Sequence, residues 1–187
     1  FYWKAEDGGC DLLLLLGVEP HLNWSGYAQA VLEVAESVGA LRVYTIGGYV
    51  MEIPHMEEPL VTGSTNKPER IPHLRRAGVE LTDYKGPTSV YSEILWQGKA
   101  RGFDVVSLWG AVPLYVQGSN PKVALHILRK LAMMIDIELD LKDMEQKAEA
   151  LDAQLASEAE QNPELRQLIE SLRAGRRAPS TRPSYTV

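Results

Sequence analysis

The chain is 187 residues long, 45% hydrophobic and 24% charged, with a formal net charge of −6. That length holds one globular core plus an appendage, and the acidic balance excludes a general nucleic-acid binder, which needs a basic surface. A single cysteine, Cys10, excludes an intrachain disulfide and a multi-cysteine metal site and fits a reducing cytoplasm.

No apolar run approaches the ~20 residues of a membrane span, and no signal-peptide pattern is present. The chain opens at Phe1-Tyr2-Trp3 without Met and reaches a central-looking strand almost at once, which reads as a piece lacking upstream sequence.

The first predicted element is a strand over Asp11–Gly17. Leu12 to Leu16 run without interruption into Gly17 and Pro20, and an unbroken apolar run ended by such residues reads as a strand buried on both faces. Trp24–Val38 has helical spacing, with Tyr27, Ala28, Val31, Leu32, Val34, Ala35 and Val38 on one face, Gly39 as the stop, and Asn23 or Ser25 as the cap. Leu41–Ile46 is a second strand ending at Gly47-Gly48, completing a strand–helix–strand unit of a parallel sheet.

After a connection containing Pro54 and Pro59, Leu60–Ser64 reads as a short or edge strand. Pro68–Ala77 reads as a short helix interrupted by Pro72 and ended by Gly78. Val79–Tyr84 alternates like an exposed strand. Val90–Ala100 is a helix capped by Thr88 or Ser89, and Asp104–Gly110 is a further buried strand. Pro121 then opens a helix capped by Asn120, whose apolar face runs from Val123 to Ile135.

From Asp140 the pattern changes. Leu141, Met144, Ala148, Leu151 and Leu155 recur at spacings of three and four among charged residues, and Asn162-Pro163 breaks this amphipathic helix before Leu165, Leu168, Ile169 and Leu172 continue it. Its stripe must bury against something: an intrachain face, or a subunit or partner. The Arg- and Pro-rich end lacks apolar residues to bury and reads as disordered. Three units result: an α/β domain over 1–139, a helical extension over 140–174, and a basic tail over 175–187.

Candidate chemistry sits in the loops after the strands, because ligands and partners dock at the carboxyl edge of open α/β sheets. Glu19, His21 and Trp24 share one loop, where an imidazole could meet a ligand with its tautomer set by the carboxylate. In the competing reading, His21 ends a strand and Trp24 packs the next helix. His55 lies between Glu52 and Glu57, a spacing that matches no recognised metal-ligand pattern, so no metal is expected.

The glycine turns could expose backbone N–H groups to an anion, with Ser64, Thr65, Thr88 and Ser89 beside His21 as the binding set. The same turns serve any parallel sheet. Cys10 has no His or Asn partner nearby in sequence, and no catalytic set or cofactor is expected.

Gly17-Val18-Glu19-Pro20-His21, Gly47-Gly48, Ile53-Pro54-His55, Gly63-Ser64-Thr65, Gly86-Pro87-Thr88-Ser89 and Leu108-Trp109-Gly110-Ala111-Val112-Pro113-Leu114-Tyr115 occur in order. This set resembles the PAC2 family, named for a proteasome assembly chaperone, over roughly Phe1 to Leu141. The resemblance implies an α/β fold, a three-layer α/β/α sandwich with a mostly parallel sheet, phosphorylase/hydrolase-like, plus the C-terminal amphipathic extension. It also implies an upstream strand and helix.

For function, the resemblance implies a non-enzymatic, cytoplasmic, protein-binding or assembly factor. Its partners would be a proteasome component or further copies of itself, as in homotrimers, with no nucleic acid and no membrane. The chain departs from the family at Met56-Glu57-Glu58-Pro59, where members often carry Thr-Arg-Pro. A ligase label applied to some prokaryotic members finds no support, because no Gly-rich phosphate loop with Lys is present. The alternative function is a small-molecule (anion or nucleotide) binder or ligase-like enzyme that uses the carboxyl-edge loops.

Overall fold

The computed structural model describes residues 2–4, 11–82 and 89–176. In chain order the elements are β1 (Tyr2–Lys4), β2 (Asp11–Leu13), α1 (Trp24–Ser37), β3 (Arg42–Met51), β4 (Val61–Thr65), a 3₁₀ turn (Pro68–Arg70), α2 (Ile71–Arg76), β5 (Glu80–Leu81), α3 (Val90–Ala100), β6 (Asp104–Pro113), α4 (Pro121–Ile135), α5 (Lys142–Gln161) and α6 (Pro163–Arg176). Cys10, residues 83–88 (the end of the expected Val79–Tyr84 strand and most of the Gly86–Ser89 turn) and residues 177–187 of the expected basic tail lie outside the described residues.

The main sheet has the order β3-β6-β4-β5, with β3–β6 and β4–β5 parallel and β4–β6 antiparallel. The strand buried on both faces is β6, whose Asp104-Val-Val-Ser-Leu-Trp-Gly-Ala-Val-Pro sequence is apolar almost throughout. Val105 points to one face and joins Ala28, Leu32, Ala35 and Ile94 from α1 and α3. Val106 and Leu108 point to the other face and join Leu74 of α2 and Val123 and Ile127 of α4. The result is a sheet between two helical layers. Each large aliphatic side chain buried there contributes roughly 1.5–3 kcal/mol.

The leucine run departs from its expected place. Only Asp11–Leu13 forms a strand, and it pairs antiparallel with Tyr2–Lys4 in a separate two-stranded sheet. Leu14, Leu15 and Leu16 are exposed, so the strand buried on both faces is not observed there. Antiparallel pairing with a nearby segment closes a short loop, whereas joining β3 needs a full crossover.

Three further strands depart from expectation, and one of them, β6, runs past Gly110 to Pro113. β4 is an interior strand, because it lies between β6 and β5. β3 does not stop at Gly47-Gly48 but runs to Met51. A Cβ on Gly47 would lie 2.8 Å from the Trp109 ring and 2.9 Å from that of Tyr91, so this glycine admits aromatic packing within the strand.

The helix ends follow the expected chemistry with one exchange. Asn23 Oδ1 accepts from Gly26 N–H at 3.1 Å and Asn120 Oδ1 from Val123 N–H at 3.0 Å. Ser89 makes no side-chain cap bond; Glu19 Oε1 accepts from Val90 N–H at 3.0 Å in its place. Pro72 sits in the first turn of α2, where its missing N–H costs nothing. α5 and α6 are separate helices broken at Asn162; α5 packs against α4 and α6 and buries Ala148 and Leu155. The amphipathic stripe is thus buried within the chain.

Candidate functional site

The carboxyl ends of β3 and β6 carry polar clusters on opposite faces of the sheet. On the α1–α3 side, the loop after the leucine run is pinned twice: by the Glu19–Val90 bond and by Trp24 Nε1–H donating to Pro20 O at 2.6 Å. Trp24 thus closes its own loop, and Glu19 serves the N-terminus of α3, where a carboxylate is favoured. His21 is exposed nearby. Tyr91 O–H donates to Ile46 O at 2.9 Å, and the Tyr91 and Trp109 rings pack at 5.1 Å between centroids.

On the α4–α5 side the cluster centres on His55, which is 6% exposed. Ile53 N–H bonds back to Met51 O and Leu114 N–H bonds to the same carbonyl, which brings His55 under the loop after β6. Tyr115 Oη accepts from His55 N–H at 2.6 Å and lies 2.8 Å from His55 Nδ1, with the rings edge to face. The pairing that uses the Tyr115 proton has O–H donating to Nδ1, which leaves His55 neutral with hydrogen on Nε2. Lys122 Nζ donates to His55 O at 2.6 Å and to Asp152 Oδ2 at 2.7 Å, joining the β3–β4 connection, α4 and α5.

The electrostatics agree with a neutral ring. Burial pushes the His55 pKa below its ordinary value, with Asp152 opposing and Lys122 reinforcing. Burial raises that of Tyr115. His126, whose Nδ1 lies 3.6 Å from Glu58, is also lowered by burial, against the pull of Glu58. Asp152 Oδ1 is buried with no hydrogen-bond partner.

The remaining expected residues lie apart. Thr65 Oγ1 donates to Val105 O at 3.0 Å and accepts from Lys67 N–H, and Ser64 is paired in register with Ser107. Because β4 runs antiparallel to β6, both lie toward the opposite edge from His55 and Glu19. Ser89 lies at the start of α3 near Glu19, and Thr88 lies outside the described residues. Ser64 and Thr65 therefore lie apart from His21.

Tyr115, Lys122 and Asp152 were missed as partners of His55. Tyr115 closed one of the quoted motifs, whereas nothing in sequence links Asp152 to position 55. Among the described residues no group of three or more His, Cys, Asp or Glu side chains is placed to hold a metal ion, and no helix is long and apolar enough to cross a membrane.

The PAC2 family model matches residues 1–159. The chain belongs to the PAC2 family. A PAC2 family protein from Streptomyces avermitilis is 31% identical, with a TM-score of 0.69 over 75% of this chain and 59% of its own. A proteasome-assembly chaperone homologue of Mycobacterium tuberculosis, Rv2125, is 26% identical, with a TM-score of 0.78 over 90% of this chain and 70% of its own. An uncharacterised protein of Methanocaldococcus jannaschii is 25% identical over 67% of this chain, which spans 48% of that relative. The PAC2 match continues past Leu141 into α5, the helix that supplies Asp152.

Proposed function

We propose that this PAC2 chain is a non-enzymatic, cytoplasmic protein-binding factor that acts in the assembly of a larger complex, with a proteasome component as its partner. The carrying observation is the match of its fold, over 90% of its length, to a proteasome-assembly chaperone homologue. The local chemistry supports the reading. Glu19, Trp24 and His55 make hydrogen bonds within their own framework, to Val90 N–H, Pro20 O and Tyr115 Oη. Affinity capture from the source cells, with quantitative mass spectrometry, should enrich 20S proteasome subunits. Recovery of the bait alone counts against the proposal.

A second reading has one specific observation behind it. Asp152, whose Oδ1 is buried without a partner, is among the residues lining the small cleft that holds His55, Glu58, Asn120 and Lys122. A small ligand offering one hydrogen-bond donor would satisfy it. A thermal-shift screen of nucleotides, phosphate and amino acids tests this, and no stabilisation by any of them removes it.

A further inference from the structure

Lys122, Leu125, His126 and Arg129 recur along α4 at spacings of three and four, which places them on one face of the helix. Lys122 pairs with Asp152 of α5 at 2.7 Å, and Arg129 pairs with Glu145 of α5 at 2.6 Å. Between them, His126 lies 3.6 Å from Glu58 of the β3–β4 connection. Leu125 is buried yet belongs to neither cluster that flanks the sheet. α5 itself buries Ala148 and Leu155. The seam over α4 is therefore a row of charge pairs around a small apolar centre.

We propose that α5 and α6 form a releasable strap, which lifts off α4 as one unit when His55 takes up a proton, while the sheet and its other helices stay folded. The geometry supplies the hinge, the unit and the trigger. Residues 136–141 join α4 to α5 without helix or strand, and Asp136 at their start is left-handed, with φ of 56°. α6 packs on α5, so the two helices travel together. Leu151 and Asp152 of α5 share one cleft wall with His55, so release opens the imidazole to water.

The groups around His55 set the direction. They are Tyr115 after β6, Lys122 of α4, Asp152 of α5, and Glu57 and Glu58 of its own connection. His126, one turn along α4, faces Glu58 with Lys122, Arg129 and Lys130 nearby. In the docked form Tyr115 O–H donates to Nδ1, so a proton arriving there displaces that bond. Burial disfavours the charged ring more than Asp152 favours it. Release hydrates the charged ring, and it also hydrates Asp152 Oδ1, which is buried without a partner while α5 is docked. The released form therefore binds the proton more readily than the docked form, and by linkage acid favours release.

Hydrogen exchange of the full chain, corrected for intrinsic rates, tests the strap. At pH 7.5 the inner amides of α5 and α6 should share one protection factor, at least about tenfold below that of β6. At pH 5.5 their exchange should speed several-fold, with about tenfold the most that one imidazole of ordinary pKa allows. In His55→Gln most of that rise should vanish. If this variant does not fold, a covalent join decides. Cys10→Ser chains carrying Arg129→Cys and Glu145→Cys, bridged by a short bis-maleimide, should show α5 protection raised toward that of β6. Equal protection of α5 and β6 in the unmodified chain, no rise with acid, a full rise in His55→Gln, or α5 protection unchanged by the join overturns the proposal. The readout involves no partner, so the strap and the assembly reading stand or fall separately.

Discussion

At the scale of single residues, buried polar groups set the sharpest expectations. Asp104 is 4% exposed and its carboxylate meets Arg70, with Arg42 Nε at 3.6 Å. Asp104→Ala leaves Arg70 without its anion and should cost on the order of 3 kcal/mol, read as a shift of the urea midpoint at unchanged slope. Gly47→Ala drives a methyl into Trp109 and Tyr91 and should cost about 1–3 kcal/mol; an unchanged midpoint would remove the close-packing argument.

His55 and His126 set the response to acid. Both have a folded pKa below the ordinary 6.5, so below that pH the unfolded chain binds more protons than the folded one. Stability should therefore fall as pH drops through about 6.5, and continue falling until the lowered folded values are reached. Thermal unfolding should show a lower Tm at pH 5.5 than at pH 7.5. In His55→Gln the drop should shrink, and a full-size drop in that variant would show that His55 does not drive it.

At the scale of elements, β6 and the helices were legible and the leucine run misled. β6 reads as buried because both of its faces are apolar and helices cover both. The run from Leu12 to Leu16 carries the same local signal without the same cover, since periodicity describes what a segment could bury and not whether a neighbour arrives. The α5–α6 pair was legible down to its break at Asn162. Its clasp on α4 was left open, because an amphipathic stripe does not name its partner. Leu155 of α5 is 4% exposed, so Leu155→Ala should cost about 2–5 kcal/mol in denaturant unfolding. A cost near zero would mean that Leu155 is not buried.

At the scale of the whole molecule, the sheet order brings distant residues to one edge. His55 and Tyr115 meet because β3 and β6 are parallel neighbours, and Asp152 joins them because α5 lies on α4. Stability should follow this layering. Leu108→Ala, at the centre of β6, should cost about 2–5 kcal/mol, whereas Leu16→Gln, at a residue that is 93% exposed, should stay within about 0.5 kcal/mol. Equal losses in calorimetry would contradict the placement of the leucine run.

By itself the sequence determined the helices, the Asn120 cap, the buried character of β6 and the ordered motifs of the PAC2 family, because each of these is written in local spacing and residue type. The tertiary structure alone decided that the leucine run stands outside the main sheet, that β4 is interior, that Thr65 and His55 lie toward opposite edges, and that His55 is locked by Tyr115 and Lys122. Those outcomes depend on which strands pair and in which direction, and strand pairing is a competition among distant segments that local pattern does not record.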